Sequence, residues 1–233
     1  MAKLTDKLEL IAEKARRTLS AKDAAREEAL QLSRDALRHS TNAIRAVHRA
    51  EYEEAKEMLA SAHLLLRELD KTLSGHQELL HGGFVYNSQK EYAEGCITYA
   101  LILGEDIPDP EELGVSYSAY LNGLGEAVGE LRRHLLDYTR RGEIARCEEL
   151  LSVMDDIYGV LVTMDFPDAI TGGLRRTTDA VRGILERTRG DLTLSFRQRD
   201  LEERLDSLKE RLDASPEPHK GGSSPSVGQK GGG

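Results

Sequence analysis

Four glutamates, Glu91, Glu94, Glu126 and Glu130, have the types and spacing to do chemistry. They form an i,i+3 pair and an i,i+4 pair on two segments that both read as long helices, so each pair lies on one helical face. Ala119, Gly123 and Ala127 recur at intervals of four beside Glu126 and Glu130, and Gly95 lies next to Glu91 and Glu94. Small residues let two backbones approach closely, which would bring carboxylates of both helices to one point. Carboxylates gathered in a small volume raise each other's pKa values unless a cation neutralises them. Oxygen-only ligands suit Mg2+ or Mn2+ better than Zn2+. That combination points to metal-assisted phosphoryl chemistry. Glutamates at helical spacing are also what a solvated face looks like. Against this stands the run Cys96, Ile97, Tyr99, Ala100, Leu101, Ile102 and Leu103 directly after Glu94. A helix so apolar lies mostly inside, where charges are paired or bound to metal.

A second constellation is basic. Arg34, Arg38, Arg45 and Arg49 fall within a narrow sector of the first long helix. They fit a track for phosphates, which the guanidinium fork matches with two parallel donors. They equally fit a solvated face with salt bridges to neighbouring acids. No aromatic residue interleaves with them, so base stacking is not indicated. Glu78 and His81 form a Glu-x-x-His element, of which di-iron bundles need two; the chain has this one alone. His134 lies near Glu130 and has either a proton-transfer or a structural role. No phosphate loop, nucleophile elbow or Cys–His signature is present.

The elements that position these residues are all helical. Apolar residues recur with helical period over about 3–50 (Leu30, Leu37, Ile44, Val47), 52–73, 84–103, 116–141, 143–164, 174–189 and 196–212. Ser116 is the expected N-cap of the helix bearing Glu126, whose apolar stripe is Tyr117, Leu121, Leu124, Val128, Leu131 and Leu135. Gly142 ends it. Gly104 through Pro110 reads as a loop, and Gly82-Gly83 as a turn. No stretch shows the alternation of a strand. An all-α fold follows: one domain over residues 1–213, a bundle of about seven helices. From Ser215 the composition turns to Pro, Gly, Ser and Lys, so 214–233 is expected to be a disordered tail.

The 233 residues carry 41 acidic against 32 basic side chains, a net charge of −9. This argues against nonspecific nucleic-acid binding by the whole surface and leaves room for a local basic patch. No signal-peptide core opens the chain, and its longest uncharged apolar stretch, from Gly95 to Gly104, is too short to span a bilayer. Cys96 and Cys147 lack metal-ligand spacing and read as free thiols. A soluble, cytoplasmic protein without a membrane partner is expected.

With the helices placed, the sequence resembles the translin family, and within it the catalytic subunit type called translin-associated factor X. Three segments carry the resemblance. Ser33-Arg-Asp-Ala-Leu-Arg-His-Ser40, continuing through Ile44-Arg-Ala-Val-His-Arg49, is similar to the family's first long helix. Lys90-Glu-Tyr-Ala-Glu-Gly95 resembles its Gln-Glu-Tyr-Val-Glu-Ala element. Tyr120-Leu-Asn-Gly-Leu-Gly-Glu-Ala-Val-Gly-Glu-Leu-Arg-Arg133 resembles its Tyr-Leu-x-Gly-x-x-Asp-x-x-Gly-Glu-Leu-x-Arg helix. The resemblance implies a translin-like fold and an Mg2+-dependent endoribonuclease subunit that cuts single-stranded RNA inside a hollow oligomer. It implies catalytic and metal-ligating roles for Glu91, Glu94, Glu126 and Glu130. Glu126 departs from the pattern, which has Asp there; noncatalytic translin subunits have no acid at that place. Arg34, Arg38, Arg45 and Arg49 become candidate contacts for the backbone of single-stranded RNA or DNA. The implied assembly is a homo-oligomer, hexamer or octamer, or a hetero-oligomer with a translin-like subunit. The alternative is a noncatalytic, translin-like nucleic-acid-binding subunit.

Overall fold

The computed structural model describes residues 2–213, and the expected disordered tail at 214–233 lies outside them. Among the described residues there are nine helices and no strand. Six are long: α1 (Ala2–His48), α2 (Tyr52–Leu73), α4 (Gly83–Leu103), α6 (Tyr117–Arg141), α7 (Ile144–Val162) and α9 (Leu174–Asp213). Three are single turns: α3 (Gln77–Leu80), α5 (Pro110–Leu113) and α8 (Asp168–Thr171). The chain divides into a unit of residues 1–192 and a second from Thr193 onward, whose described part is the exposed end of α9. No helix among the described residues is long and apolar enough to cross a membrane.

Within the first unit α1 packs on α2 and α4, α4 on α6, and α6 on α7. The buried face of α1 is built of small residues. Ala29, Ser33, Ala36, Ser40 and Ala43 all lie inside, with Ile44 and Val47 joining them near the end. Leu30 is only half-buried and Leu37 is exposed, contrary to the expected leucine stripe. Small side chains seat α1 deeply on its neighbours, and the leucines are supplied from the other side, by Leu59, Leu66, Leu69 and Leu73 of α2. Ser33 Oγ donates to the Phe84 carbonyl at 2.8 Å, tying α1 to the start of α4.

The helix that carries Glu126 follows its expected chemistry at both ends. Ser116 accepts a hydrogen bond from the Ala119 amide, and Gly142 closes the helix in the left-handed region at φ 75°. Leu124, Val128, Leu131 and Leu135 of the expected stripe are buried. Tyr117 is instead exposed, its hydroxyl donating to Glu111. One further expectation is corrected: the helices read at 174–189 and 196–212 are one, α9. The intervening Gly190 costs about 1 kcal/mol against alanine, too little to end a helix with no proline nearby. In the first unit α9 buries Leu174, Val181, Leu185 and Leu192. Its Thr177 hydroxyl donates to Asn122 Oδ1 at 2.6 Å, and Arg132 reaches Thr188 and Asp191 at 2.8 and 2.7 Å. These bonds fix α9 against the acidic helix α6.

Candidate metal centre

The close approach of α4 and α6 is set at Gly123. A Cβ built there would lie 2.7 Å from the Lys90 carbonyl oxygen and 2.9 Å from the Glu94 amide nitrogen, both backbone atoms of α4. Ala119 and Ala127, one turn on either side, are fully buried. Gly95 serves a different contact from the one its position suggests. Its bare face meets Leu59, Ser40 and Ile44, so it seats α4 on α1 and α2.

Across this seam Glu91, Glu94 and Glu126 converge, each with an oxygen within 4.8 Å of the others. Glu94 is 8% exposed, and among the described residues its carboxylate accepts no hydrogen bond. Burial, then the charges of Glu91, Glu126 and Glu130, push its pKa up to about 8. Burial raises Glu91 as well, against the pull of Lys90 and a 3.3 Å hydrogen bond from Thr41 Oγ1. Lys90 Nζ lies 2.5 Å from Glu126 Oε1, so one ammonium already offsets part of the cluster's charge.

Glu130 lines the same cavity but is held apart from the triad. Its Oε2 lies 2.5 Å from Nε2 of His48 at the end of α1, and this hydrogen bond holds its carboxyl below the usual range. His134, expected near Glu130, is buried and packs edge-to-face on Tyr138 with ring centroids 4.7 Å apart. Burial and the neighbouring His48 lower its pKa, which keeps it neutral. His48 and Lys90 are therefore the site residues that sequence reasoning left unassigned. A faint signal existed, since Thr41, Arg45 and His48 share one face of α1 and Lys90 lies one turn before Glu94.

The cavity has a volume of about 560 Å³ and is lined by all four glutamates together with Arg45, Arg133 and Arg176. Of the arginines read from α1, only Arg45 lines it. Arg34, Arg38 and Arg49 are exposed elsewhere along the helix, Arg38 paired with Asp35 and Arg49 with Glu51. Glu78 is paired with Lys22 at 2.8 Å and takes no part in the cluster.

A buried carboxylate without a donor, facing two others, is the arrangement that a hard cation stabilises and bare protein does not. No protein-family model matches the chain. An uncharacterised protein of Methanocaldococcus jannaschii is 32% identical over 189 residues, 80% of this chain and 83% of that one. The crystal structure of Archaeoglobus C3PO, of the translin and translin-associated factor X type, is 33% identical, with a TM-score of 0.72 over 81% of this chain and 98% of its own. The chain belongs to the translin family. A second Archaeoglobus C3PO structure, a complex with duplex RNA, is 34% identical with a TM-score of 0.71, covering 81% of this chain and 97% of its own. The apo C3PO of Nematostella, 21% identical at a TM-score of 0.66 over 81% of this chain and 96% of its own, shares the fold. Within the translin fold of this chain, the carboxylate cluster occupies the seam between α4 and α6.

Proposed function

We propose that this translin-family chain is a subunit of an oligomeric endoribonuclease that hydrolyses single-stranded RNA with Mg2+, or Mn2+ in its place. The observation that carries the reading is the triad Glu91, Glu94 and Glu126, with Glu94 buried and unpartnered. Kinship with a C3PO whose structure holds duplex RNA supports RNA as the ligand class.

Glu91, Glu94 and Glu126 would hold the ion, with Glu130 in direct or water-mediated support. A divalent ion bound there supplies activation of water and neutralisation of charge on the scissile phosphate. Glu94, buried and without a protein donor, would give the ion a ligand that no ammonium or guanidinium already holds. Lys90 orients Glu126 and limits the repulsion among the acids. His48 fixes the Glu130 carboxylate and keeps it ionised, and in that form it could orient the attacking water. Exposed Arg34, Arg38, Arg45 and Arg49 offer contacts to the RNA backbone, and an inward-facing basic track in a homo- or hetero-oligomeric shell reconciles RNA binding with the net charge.

One observation favours a second reading, a noncatalytic nucleic-acid-binding subunit: the Lys90 ammonium sits on Glu126, where it competes with a cation. The test is degradation of a labelled RNA, single-stranded or annealed to its complement, by full-length protein in Mg2+ or EDTA. The nuclease reading expects Mg2+-dependent cutting of the single strand, falling at least about 100-fold in Glu126→Gln. Binding without cutting at any divalent-ion concentration would establish the noncatalytic reading instead.

A further inference from the structure

The cavity is lined by side chains of both charges. Three of its four acids are engaged: Glu126 with Lys90, Glu130 with His48, Glu91 with Thr41. Three exposed arginines from three different helices also line it, Arg45 of α1, Arg133 of α6 and Arg176 of α9. Among the described residues the side chains of Arg133 and Arg176 make no ion pair or hydrogen bond, and Arg45 has only a 3.5 Å contact with Asn42. A guanidinium beside carboxylates normally closes on one of them. Here three of the four carboxylates have other partners, Arg133 acts on Glu130 through its charge alone, and the Arg133 and Arg176 guanidiniums are left open on the cavity lining.

A lone cation matches only the glutamates of this cavity, and a lone anion only its arginines. A phosphodiester strand whose scissile phosphate meets a divalent ion matches both at once. We propose that Arg133 and Arg176, with Arg45, grip the phosphates flanking the scissile one and so hold the strand at the cavity. The inference rests on the nuclease reading and adds to it the residues that bind the flanking strand. Arginine suits the task because its planar fork makes two parallel bonds to a phosphate, and contacts of this kind position a strand without reading its sequence. Binding at this site is accordingly insensitive to base identity.

The test uses full-length protein carrying Arg133→Gln or Arg176→Gln, each checked for an unchanged melting temperature. Binding of a labelled single-stranded RNA is titrated against salt in EDTA, and cleavage kinetics are measured in Mg2+. Each variant is expected to raise Kd and KM about tenfold, to leave kcat within about twofold, and to lower the slope of log K against log salt by about 0.7. Lysine at either position should restore the slope and only part of the affinity, since it keeps the charge and loses the fork. Arg182→Gln, on the exposed surface of α9 outside the cavity, should change none of these. Wild-type Kd and slope in both cavity variants, or an equal loss in Arg182→Gln, would overturn the proposal while leaving any Mg2+-dependent cleavage intact. If the wild type binds RNA without cutting it, the nuclease reading fails and the salt slopes still decide the arginines. If it does not bind RNA at all, both fall.

Discussion

Burying Glu94 against two other carboxylates gives the metal-free site a titration near neutrality. Its pKa is raised from 4.5 to about 8, so the folded chain keeps a proton that the unfolded chain has released. The stability this contributes is fully present below pH 4.5 and is lost as pH rises through 8. A divalent ion reverses the sign, because it needs the ionised form and competes with the proton. In EDTA the melting temperature should therefore fall between pH 6 and pH 9, and the rise produced by Mg2+ should grow over the same interval. Glu94→Gln should flatten both curves. An Mg2+ response of equal size at pH 6 and pH 9 would contradict the assignment of Glu94 as a ligand. The glutamates were legible in the sequence because helical periodicity alone puts each pair on one face. The partnerships of Glu130 with His48 and of Glu126 with Lys90 were not, since they depend on how neighbouring helices are rotated about their axes.

At the scale of elements, the site depends on one contact between α4 and α6. Glycine to alanine inside a helix ordinarily stabilises by about 0.5–1 kcal/mol. At Gly123 the added methyl would press on the α4 backbone, and overpacking of that kind costs about 1–3 kcal/mol. Gly123→Ala should lower the melting temperature by several degrees and remove the Mg2+ response, as the triad is forced apart; differential scanning calorimetry with and without Mg2+ checks both. A stabilised variant that still responds to Mg2+ would show that the helices do not need this proximity. The spacing of Ala119, Gly123 and Ala127 made this seam readable. The deep seating of α1 was not legible because alanine and serine suit a solvated helix face as well as a buried one, although the small side chains from Ala29 to Ala43 are what let the helices close. The continuity of α9 was not legible because the apolar period lapses between 189 and 196, where the helix nonetheless runs on through Gly190.

For the whole molecule, the relevant fact is how charge is distributed. A net charge of −9 repels a polyanion at long range, yet Arg45, Arg133 and Arg176 gather at one cavity that also holds the acids. On the proposed function, local complementarity of this sort makes binding salt-sensitive and centres it on the cavity. The sequence made the all-α class, the main helices and the four glutamates readable. It did not reveal that Arg133 and Arg176 meet Arg45 at one opening, because that meeting is made by three helices far apart in the chain. The claim on which the account depends is that Glu91, Glu94 and Glu126 hold one hard divalent ion in the assembled protein. Anomalous diffraction from crystals of the full-length protein soaked in Mn2+ tests it most directly. The account predicts a strong peak within about 2.0–2.3 Å of carboxylate oxygens of all three residues, lost in Glu94→Gln. Crystals saturated with Mn2+ that show no peak there, with Lys90 still on Glu126, would contradict it.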